Sequence, residues 1–225
     1  MDERVREYVD GVVALCQEEM GTTLVSAWLV GSLATGDFDL RRSDIDVVLA
    51  SASPLNARVK KSLARRLSHS HFPCPAHGVD LLIYSAAELL PLARSPRYEF
   101  SISSGVDWDD DVGLGGLYPG GLIDLAVARR VGVSIFGPPP VESVGHCPPE
   151  WILDELANGV RWHVTRVHDP FHDPTGSNSV LNACRALHFR SSGALVSKTT
   201  GARWTLEGTA EPVVAAALAE REAGG

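Results

Sequence analysis

Near the start of the chain apolar residues recur at helical spacing, with Val5, Tyr8, Val9, Val12, Val13 and Cys16 on one stripe within residues 3–20. The stripe predicts a helix, and Gly21 stops it. Residues 23–30 are β-branched and apolar enough for a buried strand ending at Gly31, and residues 45–50 form a second short apolar strand. Between them, GSLATGDFDLRRSD reads as a turn followed by an exposed connection. Residues 55–68 carry apolar positions at helical intervals among Arg and Lys, which predicts a surface helix. Further strands are predicted over residues 79–84 and 98–103. After a loop of Asp, Gly and Trp at 105–116, residues 122–133 are helical in pattern.

The stretch GPPPVESVGHCPPE interrupts these patterns; its Pro and Gly density excludes regular structure and marks the best domain boundary in the chain. The expected domains are residues 1–140 and 141–225. Beyond the boundary helices are predicted over 150–168, 177–189 and 212–222, with HDPFHDPTGS as a loop between the first two. The second part is therefore expected to be all helical.

Composition narrows the function. Hydrophobic residues make up 44% of the chain and charged residues 21%, as in ordinary globular proteins. The formal net charge of -8 argues against a broad grip on nucleic acid and suits a small, cationic partner. The four cysteines, Cys16, Cys74, Cys147 and Cys184, lie far apart with no zinc-site spacing, so they read as reduced thiols. His163, His168 and His172 read as helix and loop residues. The amphipathic, acidic start does not resemble a signal peptide, and no apolar run reaches the roughly 20 residues needed to cross a bilayer, so a cytoplasmic protein is expected.

One constellation carries chemistry. Gly31 and Ser32 are followed, after eleven residues, by Asp44-Ile45-Asp46. Alternation along a strand points Asp44 and Asp46 to the same face. Two such charges about 5 Å apart repel by roughly 3 kcal/mol at an effective dielectric of 20. A Mg²⁺ ion bridging them to substrate phosphates removes that repulsion. Gly31 lets the backbone approach a ligand, and the Ser32 hydroxyl and nearby amides can donate to phosphate oxygens.

GSLATGDFDLRRSDIDVVLA resembles the signature of the polymerase β-type nucleotidyltransferase superfamily. The resemblance implies an α/β (α+β) nucleotidyltransferase domain with a mixed sheet, joined to a C-terminal all-helical domain. It also implies a third carboxylate, for which Asp80 in GVDLLIYS and Glu99 in SPRYEFSIS compete. The latter context is similar to the segment that carries the catalytic glutamate in streptomycin/spectinomycin adenylyltransferases. Glu99 is accordingly preferred as general base and metal ligand, with Asp80 as the alternative.

SVLNACRALHFRSSGALVSKTTGARWTLE is similar to the C-terminal segment of the same adenylyltransferases. Matched residue by residue, Asn178, Arg185, Gly193, Lys198 and Trp204 take the family's positions, with Lys198 implied to contact ATP phosphates and Arg185 and Asn178 to support either the nucleotide or the cleft wall. Arg42 is a further candidate for the triphosphate, but a solvated loop charge is the better reading of it. Asp169, Phe171, Asp173 and Trp162 are candidate contacts for a cationic acceptor. The acidic run at 107–111 is read as a solvated loop that a polyamine-like substrate would find attractive.

The implied activity is transfer of AMP from ATP, with Mg²⁺, to a hydroxyl of a small molecule of aminoglycoside type, releasing pyrophosphate. The alternatives are another acceptor, such as a lincosamide or a protein side chain, a non-catalytic nucleotide-binding member, and a terminal transferase. Oligomeric state is not legible.

Overall fold

The computed structural model describes residues 1–166 and 173–223. Helix α1 (Glu3–Met20) starts at Asp2, whose carboxylate accepts from the Arg4 amide at 2.9 Å. After a short 3-10 turn come β1 (Leu24–Leu29), the one-turn helix α2 (Gly31–Thr35), β2 (Asp44–Ser51) and α3 (Ala57–Leu67). Next are β3 (Gly78–Ser85), α4 (Ala86–Leu89), β4 (Arg97–Gly105), β5 (Asp111–Gly113) and β6 (Gly116–Leu117). Helix α5 (Gly121–Val131), β7 (Val133–Phe136) and α6 (Pro140–Ser143) follow. The remaining elements are α7 (Pro149–Thr165), α8 (Ser177–Ser192), α9 (Lys198–Gly208) and α10 (Pro212–Ala223).

The chain divides into two compact units, one comprising Met1–Ala34 and Phe38–His146, the other Thr35–Asp37 and Cys147–Gly225. In the first, a sheet of order β5-β4-β3-β2-β1-β7, with β6 also paired to β4, is mixed as expected. The β2–β3 pair is parallel, and β1–β2, β3–β4 and β1–β7 are antiparallel. Alternation sorts the sheet. Ile45, Val47, Leu49, Val79, Leu81, Ile83, Phe100 and Ile102 face a core shared with Val5, Val9, Val12 and Cys16 of α1 and Leu63 and Leu67 of α3. Asp46, by register partnered with Asp80, belongs to the opposite face, where Gly121 of α5 lies against the Tyr84 hydroxyl. The four cysteines are free and buried.

Sequence patterning missed several elements. The Pro-rich connection is not wholly irregular: Pro140–Ser143 forms a helical turn with proline in its first turn, where a missing N–H costs nothing, and α7 likewise begins at Pro149. The edge strand β7 is four residues long and acquires its identity by pairing with β1. Helix α9 was hidden by its weak helix formers, Thr199, Thr200 and Gly201. Tertiary packing sustains it. Ala202 is fully buried, and a Cβ on Gly201 would meet the Arg185 backbone nitrogen at 3.0 Å, so α8 and α9 approach as closely as glycine allows. Among the described residues, no helix is long and apolar enough to cross a membrane.

Candidate active site

The Gly31–Ser32 turn and the start of β2 are built against each other. Val30 N–H donates to the Asp46 carbonyl at 3.0 Å, and the Ser32 amide donates to the Asp46 carboxylate. Gly31 has φ +56, and a Cβ there would lie 1.8 Å from Asp46 Oδ2. Only glycine fits both the left-handed conformation and the carboxylate pressed on its Cα.

Parallel pairing of β2 with β3 sets Asp44 opposite Gly78 and Asp46 opposite Asp80. The acids crowd one another. Burial, followed by the charges of Asp124, Asp80 and Asp44, raises the Asp46 carboxyl well above its ordinary value, against the opposing Ser32 hydrogen bond. Asp124 stands in the first turn of α5 and was absent from the expected set. The Tyr118 phenol is raised too, by burial and then by the charges of Asp80, Asp124 and Asp46. Tyr118 meets Tyr98 edge to face at 6.0 Å.

Asp44 is held from outside the cluster. His77 Nδ1 is 3.1 Å from Asp44 Oδ1, and its Nε2 is 3.6 Å from Asp107 Oδ2. The His77 ring tilts on Trp108 at 5.0 Å. Trp108 in turn occupies the space over Gly78 and Gly105, where any Cβ would come within 2.5 Å of its ring. The run at 107–111 is therefore partly structural: Asp107 faces His77, Trp108 seats on two strands, and Asp110 accepts from the His69 amide at 3.2 Å. No motif signals this arrangement in the sequence; the two glycines beneath Trp108 are its one trace.

Glu99, the expected general base, lies elsewhere. It sits at an irregularity of the β3–β4 register, between the pairs Ile83↔Phe100 and Tyr84↔Tyr98, whereas Asp80 pairs with Ser103. Its carboxylate accepts from Lys60 Nζ at 3.1 Å and from the Leu55 amide at 3.3 Å, with Lys60 and Glu99 side chains 15% and 20% exposed. Of the two candidates, Asp80 is the one brought to Asp46.

The donor set suits a hard cation. Mg²⁺ is ordinarily bound through one or two carboxylates, with substrate phosphates and water completing its shell. Asp44 and Asp46, with Asp80 beside them, supply the carboxylates. Among the described residues no three acidic, histidine or cysteine side chains are grouped so as to hold a metal ion by themselves.

The remaining candidates lie in the helical unit. Lys198 opens α9. Arg185 donates through Nε to the Val196 carbonyl at 3.0 Å and through Nη1 to Asn182 Oδ1 at 3.3 Å, bracing α8 to the α8–α9 turn. The Asn178 side-chain Oδ1 accepts from Asn182 Nδ2 at 3.2 Å. Gly193 ends α8 at φ 69, the left-handed cap that favours glycine. Trp204 meets His188 edge to face at 5.2 Å and lines a cavity of about 650 Å³ with Leu187, Arg190 and Thr205. Asp173 accepts from the Ser179 amide at 2.7 Å and hydroxyl at 2.6 Å, a capping duty at the start of α8. His163 is buried, with Nδ1 3.1 Å from that hydroxyl and Nε2 3.2 Å from Asn182 Nδ2. Trp162 lies under the Arg166 guanidinium at 4.5 Å. His168, Asp169, Phe171 and His172 lie outside the described residues. In the first unit, Arg42 pairs with Asp39 at 3.3 Å.

Residues 147–223 match the family model described as aminoglycoside adenylyltransferase, C-terminal domain. No curated protein matches the chain in sequence. Among solved structures, the chain is similar to the spectinomycin adenyltransferase AAD(9) from Enterococcus faecialis with ATP and spectinomycin. Identity is 16%, coverage is 97% of this chain and 89% of that one, and the TM-score is 0.77. A tri-AMPylated Shewanella oneidensis HEPN toxin in complex with MNT antitoxin is more distant, at 13% identity, with 72% of this chain and 92% of that one covered and a TM-score of 0.33. The expected resemblance to aminoglycoside adenylyltransferases is thus borne out in both the C-terminal segment and the fold, as is the mixed α/β class.

Proposed function

We propose that this chain is an adenylyltransferase that moves AMP from Mg-ATP to a hydroxyl of a small cationic molecule of aminoglycoside type and releases pyrophosphate. The observation that carries the proposal is the seating of Asp46, with Asp80 across the β2–β3 pair and Asp44 two residues away, against the Gly31–Ser32 turn. Asp44 and Asp46 hold Mg²⁺, with Asp80 as the third carboxylate. When bound, the ion neutralises charge on the triphosphate and on the crowded acids.

The turn at Gly31 and Ser32 donates to phosphate oxygens, and Lys198 supplies an ammonium to the phosphates, with Arg185 and Asn178 supporting the nucleotide from α8. The acceptor oxygen attacks the α-phosphorus in line with the departing bridge oxygen. A new O–P bond forms as the bond to pyrophosphate breaks. A carboxylate takes the hydroxyl proton; Asp80, set opposite Asp46 by the β2–β3 register, is assigned this role, with Glu99 as the alternative. The acids Asp107 and Asp124 favour a cationic acceptor near the site. AAD(9), which shares the fold, was crystallised with ATP and spectinomycin, so that antibiotic heads the acceptors to try.

The test is incubation with Mg-ATP and a panel including streptomycin and spectinomycin, read by mass spectrometry for an added AMP and by pyrophosphate release. An adduct on a hydroxyl is the expected result. Absence of both signals with every acceptor, in protein that binds Mg-ATP, would leave a nucleotide-binding protein without transferase activity.

A further inference from the structure

The short segment Thr35–Asp37 groups with the helices rather than with the sheet that flanks it in sequence. The Asp37 carboxylate accounts for this. Its Oδ1 accepts from the Thr199 hydroxyl at 2.7 Å; its Oδ2 accepts from the Thr199 amide at 3.3 Å and from Arg221 Nη2 at 2.8 Å. Arg221 Nε closes the ring by donating to Thr199 Oγ1 at 3.2 Å. The Arg221 and Asp37 side chains are only 13% and 11% exposed.

Thr199 follows Lys198, the first residue of α9. First-turn amides of a helix have no acceptor within the helix. Here Ser197 Oγ takes the Thr200 amide and Asp37 takes the Thr199 amide, so the turn bearing Lys198 is fixed from two directions. An acid at a helix start is also favoured by the helix dipole. A lysine ammonium rides on a flexible stem, so where it can reach depends on how firmly its Cα is held. Arg221 at the far end of the unit serves the same point, and its charge partner comes from outside the C-terminal segment altogether.

We propose that Asp37 is a positioning residue for Lys198, setting where that ammonium meets the nucleotide phosphates. The inference rests on the nucleotide-binding reading given above. It goes beyond it in assigning a role to an acid of the connection between Ser32 and Asp44 that was not among the candidate site residues.

The experiment is a double-mutant cycle on the full chain, with Mg-ATP affinity by titration calorimetry and thermal unfolding as readouts. Asp37→Ala is expected to weaken Mg-ATP binding on the order of tenfold. In a Lys198→Ala background, Asp37→Ala is expected to add less than about a twofold further loss, because the two residues then act as one unit. Asp37→Asn, which keeps acceptors for Thr199 but loses the ion pair, is expected to fall between wild type and Asp37→Ala; it carries the test if the alanine variant does not fold. Folded Asp37 variants binding Mg-ATP like wild type would overturn the inference alone, as would losses that add fully to that of Lys198→Ala. Wild-type protein that binds no Mg-ATP would overturn the nucleotide reading and this inference together.

Discussion

Two carboxylates largely withdrawn from water, Asp46 and Asp37, shift in opposite directions. Burial works to raise both. Around Asp46 the charges of Asp124, Asp80 and Asp44 add to the effect, and its carboxyl stands well above the ordinary value. Around Asp37 the Thr199 donors and the Arg221 guanidinium outweigh burial, and its carboxyl stands below it. The helical unit compensates its buried acid with its own groups. The acid of the sheet has the Ser32 amide as a donor, and the charges that act on it are those of other acids. Acids that raise one another would suit a bound cation, whereas a buried acid with donors on both oxygens serves as a joint.

Removing the uncompensated acid breaks the contrast most sharply. Asp46→Asn is expected to lower AMP transfer by roughly a thousandfold through loss of the metal ligand. The same variant should melt no lower than wild type without nucleotide, since a repulsion has been relieved. A thermal melt beside a pyrophosphate assay checks both, and a variant that retains turnover would remove the metal role. Gly31→Ala follows, at about a hundredfold loss of turnover and about 1–2 kcal/mol of stability, because the new methyl group needs both the left-handed backbone and the space of the Asp46 carboxylate. Unchanged kinetics in this variant would show that the turn does not shape the site.

The two candidates for third carboxylate sharpen the comparison next. Asp80→Asn is expected to cut turnover about a hundredfold with little change in melting temperature. Glu99→Gln should cut it less than about tenfold and cost about 1 kcal/mol of stability by leaving Lys60 without its carboxylate. The reverse ranking would return the role of base to Glu99.

The smallest effect concerns pH. In nucleotide- and metal-free protein, folded Asp46 retains a proton that the unfolded chain has released, from about pH 4 up to the raised folded value. Its ionisation therefore costs stability as pH rises through that window, by at most about 1.4 kcal/mol per pH unit. Asp37 runs the other way, contributing stability above the ordinary carboxylate range that is lost as pH falls through its depressed value. Denaturant melts across pH should show Asp46→Asn removing the first slope and Asp37→Asn reducing the second.

The sequence by itself determined the four longer strands, β1 to β4, and most of the helices, because burial of one face imposes a period of two or 3.6 on Val, Leu and Ile, whereas the short β5, β6 and β7 carry no such period. It also determined the Gly31–Ser32 and Asp44–Asp46 pairing, since a strand places alternate residues on one face and a left-handed glycine is legible beside a turn. Tertiary structure alone decided the rest. Asp80 rather than Glu99 meets Asp46 because of the parallel β2–β3 register, and register depends on partners that no local pattern names. Asp124 reaches the acids only through the docking of α5, and His77 reaches Asp44 because the parallel register sets Gly78, the residue after it, opposite Asp44. Asp37 meets Thr199 and Arg221 across 162 and 184 positions of chain. Such contacts carry no periodicity, so they come into being only when separate elements pack.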